Sequence, residues 1–458
     1  MQSEVAQLVL QAVHNSYAAR QQLMQHQQHF QTLLVRYHNA AARQQQQQVQ
    51  LRVQKKTRGR PKRPRRQRTV WVHHWLSERE RHSKSHYYSL MEAFRHDCPE
   101  QFRRFTRISM QMFDEMHDRL TPQLTKQNTN YREALEVGLK LAVTLRYLAT
   151  GASYTMLGHN FTVSNNAISM FVPDVCQAII NEYGPEVLTA PSSVAEWQAI
   201  EKEFRLRWNL PNCLGAIDGK HIRINKPPGS GSLFHNYKGF FSIVLLGLVD
   251  ANYKFIWADV GGSGSNSDAQ IFNSSQLKEK ILDKSIQFPP DKPLPNDDKP
   301  FPHFLVGDDA FALATWMMKP YARFRGLSIA ERIFNYRLSR ARRVVENAFG
   351  IMALRWQVLL TFMRQKHVDT TRLVTATCVV LHNLMRTRYP THHNDMADHF
   401  DRDGNLRPGI WRNMAQMHEV ETVRAPSREK TDAKKAREYL RLWENSPAGS
   451  VPWQHDKI

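Results

Sequence analysis

The chain has 458 residues, 41% hydrophobic and 10% aromatic, enough for at least one large core within two to four structural units. Its formal charge of +21 points to a polyanionic partner, most often nucleic acid. The four cysteines, Cys98, Cys176, Cys213 and Cys378, form no CxxC pair, which speaks against a zinc module or a disulfide scaffold and fits a reducing compartment.

The N-terminus is polar and Gln-rich, unlike a signal peptide. Residues 1–54 are expected to be a Gln-rich tail, helical or disordered. Residues 55–70 form a basic segment. Between Arg52 and Arg68 there are ten Lys/Arg and no acid, almost half the net charge. Pro61 and Pro64 forbid a regular helix there. An extended chain carrying Arg58, Arg60, Lys62, Arg63, Arg65 and Arg66 suits the narrow minor groove of A·T-rich DNA. The segment resembles an AT-hook and equally a nuclear localisation signal, and the expected location is the nucleus.

Residues 85–195 carry helical periodicity, seen in Phe102, Phe105, Ile108, Met112, Phe113 and Met116. A short helix around Tyr154–Phe161, a turn, and a second helix capped by Ser164 have the arithmetic of a helix-turn-helix. Ser164, Asn165 and Asn166 would face DNA; an ordinary helical hairpin is the alternative.

Residues 205–390 change character. Three β-rich runs, GAIDGKHIRI, GFFSIVLLGLVD and YKFIWADVG, precede a helix starting near Ser267. A Pro/Asp/Lys-rich loop spans Gln287–Pro302, and a fourth strand ends at Gly307-Asp308. Helices over about 338–353 and 370–386 follow. This order gives an α/β layer with a mixed sheet. The apolar run Phe240–Val249 is too short to span a bilayer, so no membrane partner is expected. Residues 391–458 read as a polar C-terminal tail with a short helix over 433–443.

Four carboxylates stand out. Asp218 lies inside an apolar strand, where a buried charge needs compensation such as a divalent cation. Gly219 beside it would let a substrate backbone approach. Asp308 sits at the end of the fourth strand, where α/β sites form, with Asp309 as the minority choice. Glu346 shares a helix with Arg342 and Arg343, cations suited to a phosphate backbone. Asp268 precedes a helix and could equally be its N-cap. Oxygen donors without a Cys/His set favour Mg²⁺ or Mn²⁺, and two such ions would clamp an in-line attack at phosphorus.

The motifs GAIDGKHIRI, FHNYKGFFSI, GSGSNSDAQIF, LVGDDAF, FNYRLSRARRVVENAFGIMALRW and VVLHN occur in that order over about Phe105–Asn383. With them the chain resembles the PIF/Harbinger transposases and the nuclease-like proteins domesticated from them. The resemblance implies an RNase H-like (retroviral-integrase-like) fold and a DDE site at Asp218, Asp308 and Glu346, with Asp268 as the additional aspartate. It also implies action on terminal inverted repeats of double-stranded DNA, often with a Myb-like accessory protein. A homodimer would suit paired end processing. The chain departs from the pattern at Ser267, where the family usually has His. Ala310 and Phe311 also lack the usual Gly and Tyr, and the insertion at Gln287–Pro302 lengthens one spacing. The leading expectation is a transposase that cuts transposon ends and joins the 3′-ends to target DNA by two-metal-ion catalysis. The alternative is a domesticated nuclease or a non-catalytic nuclear DNA-binding regulator.

Overall fold

Three apolar runs pair into an antiparallel meander: β1 (Cys213–Arg223), β2 (Ser242–Val249) and β3 (Phe255–Ser263). β1 is buried but for its last residue and β2 throughout, which explains why both lack strict alternation. The turn from β2 to β3 is set by Asp250, whose carboxylate accepts from the N–H groups of Asn252 at 2.8 Å and Lys254 at 2.9 Å. The structure, a computed structural model, describes residues 72–129, 133–322, 326–365, 367–389, 396–401, 403–413, 416–420 and 430–458. The Gln-rich segment and the basic segment with Arg58, Arg60, Lys62, Arg63, Arg65 and Arg66 lie outside these residues. From residues 72–77 the described element is one 3₁₀ turn, His74–Leu76.

Residues 78–458 form one compact unit. Its N-terminal part is helical: α1 (Glu78–Lys84), α2 (Leu90–Asp97), α3 (Pro99–Thr106), α4 (Met110–Leu124), α5 (Val137–Thr150), α6 (Tyr154–Phe161), α7 (Asn165–Val187) and α8 (Val194–Trp208). After the meander come α9 (Asp268–Asn273) and α10 (Gln276–Leu282). The stretch expected as a loop carries a small ribbon, β4 (Lys292–Pro293) with β5 (Pro300–Phe301). Then β6 (Phe304–Val306) joins β1 in parallel, and β7 (Met317–Met318) joins β6 in parallel. The mixed sheet thus runs β3-β2-β1-β6-β7.

Two long helices pack on the sheet, α11 (Ile329–Arg355) and α12 (Val368–Arg388). α11 starts well before the periodic stretch around Leu338. Ser328 and Glu331 form a capping box that supplies its first orphan N–H groups. α12 is held by the VVLHN motif. Asn383 donates to the carbonyls of Val187 and Phe255 at 2.8 Å each and accepts from the Phe255 N–H. That tripod fastens α12 to α7 and to the start of β3.

The C-terminal stretch is more than a polar tail. Of its described residues, β8 (His399–Phe400) and β9 (Leu406–Arg407) form a ribbon, and β10 (His418–Glu419) joins the main sheet beside β1. The last helix, α13 (Thr431–Glu444), packs on α11. Trp411, Met417, Val420, Leu440 and Trp443 are buried, and these scattered apolar residues anchor the segment. Among the described residues, no helix is long and apolar enough to cross a membrane.

Candidate active site

Strand register brings Asp218 and Asp308 together. Ala216 on β1 is the parallel partner of Val306 on β6, so two steps along each strand place Asp308 beside Asp218. Both are buried. β6 ends there, and β10 takes over the same edge of β1, pairing Lys220 with Glu419. Asp308 Oδ1 accepts from the Ala310 N–H at 2.9 Å, which turns the chain away. Asp309 points elsewhere, toward Lys319 at 3.6 Å.

Asp268 approaches β1 at Gly219. A Cβ on Gly219 would fall 1.9 Å from Asp268 Oδ1, so the glycine makes room for this carboxylate and not for a substrate backbone. The N-cap reading of Asp268 is also corrected. The cap is Ser267, whose hydroxyl accepts from the Gln270 N–H at 3.4 Å while Gln270 reaches back to the Ser267 N–H at 2.9 Å. Where the family pattern has His, this chain places the cap. Asp268 is released from capping, is buried, and its Oδ1 has no hydrogen-bond partner.

The carboxylates feel one another. Burial, then the charges of Asp218 and Asp308, pushes the Asp268 carboxyl well above the ordinary aspartate range, against the opposing pull of Lys220. Burial also pushes Asp308 up to about 6; Arg342 opposes this and Asp218 adds to it. Arg342 therefore acts on the site from α11. Arg343 instead packs against Phe400, 5.5 Å from the ring centroid.

Glu346 stands apart from the three aspartates. It is half-buried, and its cation partner is Arg412 at 3.4 Å. Arg412 is anchored by Asp398, which accepts from its Nε at 2.8 Å. Asn347 next to Glu346 holds the same segment, accepting from the Trp411 indole N–H at 2.9 Å and the Asp398 N–H at 3.0 Å. Between Glu346 and Asp218 sits Lys220, 3.0 Å from Asp218 and 3.4 Å from Glu419. Burial opposes its charge, yet the carboxylates of Asp218, Glu419 and Glu346 outweigh burial and hold it protonated. Lys220 was foreseeable, being two residues from Asp218 on one face of a strand. Arg412, Trp411 and Glu419 carry no local signal, because only the tertiary fold brings them here.

A set of oxygen donors that repel one another, one with an orphaned buried oxygen, fits a divalent cation. Among the described residues, no three His, Cys, Asp or Glu stand close enough to share an ion. Lys220 and Arg412 hold Asp218 and Glu346 as ion pairs in this arrangement.

Two expected results follow from the local geometry. Gly219→Ala drives Asp268 off its position; cleavage should fall at least tenfold, about 1.4 kcal/mol, and wild-type kinetics would contradict the packing. The second concerns pH. Asp308 ionises near 6 in the folded chain and near 4 unfolded, so the unfolded state sheds its proton first as pH rises. The folded state thus loses about 3 kcal/mol between roughly pH 4 and 6 and carries the full loss at neutral pH. A divalent cation offsets this only where the carboxylates are ionised. Millimolar Mn²⁺ should raise the melting temperature at pH 7.5 more than at pH 5, and Asp308→Asn should shrink the difference, leaving the part that belongs to Asp268. Equal shifts at both pH values would contradict it.

In the helical part, the short helix and the capped second helix occur as expected. Ser164 accepts from the Ala167 N–H at 3.2 Å, so its hydroxyl serves the cap. Asn165 donates to Thr155 Oγ1 at 2.9 Å, and Asn166 is exposed. Ile168, Phe171 and Val172 are buried, and α7 packs along α12. Residues 154–187 contain no lysine or arginine.

The mixed sheet thus carries Asp218 inside β1 and Asp308 just past the parallel β6, with a further acid, Glu346, on the helix α11 that packs on it. Residues 217–383 match the DDE superfamily endonuclease family. It is 26% identical to Protein ALP1-like of Arabidopsis thaliana, over 63% of this chain and 71% of that one. It is 25% identical to the candidate nuclease HARBI1 of Homo sapiens, over 56% and 69%. It is also 25% identical to the Antagonist of like heterochromatin protein 1 of Arabidopsis thaliana, over 55% and 63%. The chain is a distant homologue of the Harbinger-derived nucleases. No solved structure matches it.

Proposed function

We propose that the chain is a divalent-metal-dependent DNA endonuclease on an RNase H-like fold. The observation that carries this reading is the β1–β6 register, which sets Asp218 beside Asp308 and leaves Asp268 reaching in over Gly219. The sheet order, three antiparallel strands followed by two parallel ones, supports the fold assignment. The relatives include one named for a nuclease and none named for transposition. They favour a nuclease retained for cutting over the transposase of the leading expectation, in which cut ends are also joined.

Asp218, Asp268 and Asp308 would hold the cation after drawing together from the present spacing, in which no three acids among the described residues are close enough to share an ion, with Glu346 completing the set once Arg412 releases it. Bound there, Mg²⁺ or Mn²⁺ supplies Lewis-acid polarisation of the phosphate and of water. The residues of the chain do the rest. Asp308, ionised above about pH 6, accepts positive charge at the sheet edge. Arg342 supplies a cation on the same side, suited to a phosphate oxygen. Lys220 pairs with Asp218 and fixes its carboxylate. Water attacks phosphorus, the P–O3′ bond breaks, and the products carry a 3′-hydroxyl and a 5′-phosphate.

The same reading places the chain in the nucleus on double-stranded DNA. Arg58, Arg60, Lys62, Arg63, Arg65 and Arg66 would engage the A/T-rich minor groove, and a Myb-like protein or a second copy would complete end recognition. Incubation of end-labelled inverted-repeat DNA with the chain, alone and with a Myb-like protein, tests it. Metal-dependent cutting supports the endonuclease. Binding without cutting under any condition supports the regulator instead. Deleting Thr57–Arg68 should weaken binding and flatten its salt dependence through lost counterion release. An unchanged salt slope would remove this segment from DNA contact.

A further inference from the structure

Beyond the carboxylates, β1 ends in a cationic and aromatic surface that the cutting reaction does not use. Arg223 closes the strand, about 16 Å along it from Asp218. Its guanidinium lies 5.3 Å from the centre of the Phe240 ring and 5.5 Å from that of Phe362. Arg364 flanks Phe362 from elsewhere, at 5.9 Å. Phe362 is 41% exposed, unusual for so large an apolar side chain. Among the described residues, no carboxylate pairs with Arg223, Arg364 or the nearby Lys238. His221 is lowered to about 4 and His418 is lowered, in each case by burial and then by Lys238.

Beside Phe362 a cavity of about 440 Å³ opens between the loop 361–365 and the start of α6. Its wall includes Tyr147 and Tyr154, whose hydroxyls both accept from the Gln365 amide, at 2.7 Å and 2.9 Å. The volume is that of a small-molecule site, and the fixed hydroxyls offer polar partners to the edge of a flat ring. A part-exposed aromatic ring flanked by two guanidiniums that pair with no carboxylate among the described residues, beside an aromatic-walled pocket, is the make-up of a surface that stacks bases and holds phosphates. Duplex DNA keeps its base faces inside the stack and cannot use it.

We propose that this surface binds unpaired nucleotides of the DNA strand next to the cut, one base stacking on Phe362 at the mouth of the Tyr154 pocket. The proposal rests on the reading of the chain as a DNA enzyme, but it is tested by binding alone. Fluorescence anisotropy of the full chain in EDTA would compare a blunt duplex, the same duplex with an unpaired tail, and the single strand. The tailed duplex should bind more tightly than the blunt one. Phe362→Ala should weaken tail and single-strand binding roughly 5- to 150-fold, leaving the blunt duplex unchanged, and Phe362→Trp should retain it. The double change Arg223→Ala with Arg364→Ala, checked by thermal melting, should give the same pattern. Equal affinity for tailed and blunt duplexes, tail binding by Phe362→Ala at the wild-type level, or tighter binding of RNA of the same sequence would overturn it. If the chain prefers the tail yet never cuts DNA with Mg²⁺ or Mn²⁺, the endonuclease reading fails and this surface stands.

Discussion

Asp218→Asn and Asp308→Asn should each slow DNA cleavage at least a thousandfold, about 4 kcal/mol of transition-state stabilisation, while leaving duplex binding within a fewfold. Asparagine keeps the shape of each side chain and removes one negative charge from a pair formed by β1 and the residue just past β6. The loss should fall on kcat and not on KM, because the charge matters for the reacting phosphate and not for the rest of the duplex. Steady-state kinetics on a labelled duplex separate the two. Asp309→Asn is the contrasting control: Asp309 faces Lys319, so it should cut at close to the wild-type rate. A dead Asp309→Asn beside an active Asp308→Asn would reassign the second carboxylate.

Glu444→Ala should destabilise the fold by about 3–5 kcal/mol, an effect of similar size with a different cause. Glu444 is fully buried at the end of α13, and its carboxylate lies 3.7 Å from Arg337 Nε on α11. Arg337 also donates to the carbonyls of Gly449 and Asn209. Burial pushes the Glu444 carboxyl up to about 8 against the pull of Arg337, so the pair is fully charged only above that pH, and there the loss of the carboxylate leaves the guanidinium in the core without its counter-charge. Replacing both partners by Arg337→Met and Glu444→Leu should recover most of the loss, since a buried pair gains little over a well-packed apolar one. Urea unfolding of the single and double variants measures both. A single variant as stable as the wild type would contradict the clasp. Its role extends to the C-terminal SVPWQ stretch. Trp453 and Phe400 sandwich the neighbouring Arg340, at 4.0 Å and 4.1 Å from the ring centroids. The stretch therefore closes the domain over α11.

The strands were legible because each is a short apolar run between turn signals, and the helices because their apolar residues recur at three and four. Asp218 and Asp308 were legible for a related reason: an acid in or at the end of such a run stands out. The motif resemblance located Asp268, while its local reading was that of an N-cap; the Ser267-x-x-Gln270 spacing of a capping box, which assigns the cap to Ser267, stands in the sequence and was missed. Glu346 was found, yet its partner was not. Arg342 and Arg343 are its helix neighbours, and the cation that reaches it is Arg412, 66 residues away. Gly350 shows why such contacts escape a local reading. It is a bare spot on α11 onto which Trp411 packs, where a Cβ would fall 2.3 Å from the indole. Nothing in ENAFG states what will cover it.

The central claim, metal-dependent cutting by the aspartates on β1 and after β6, is tested most directly by one assay. The purified chain is incubated with end-labelled inverted-repeat DNA at pH 7.5 in Mg²⁺, in Mn²⁺ and in EDTA, alongside Asp218→Asn. The account predicts strand breaks bearing 3′-hydroxyls in either metal, none in EDTA, and none from the variant. Cutting that persists in EDTA, or that Asp218→Asn performs at the wild-type rate, would contradict it.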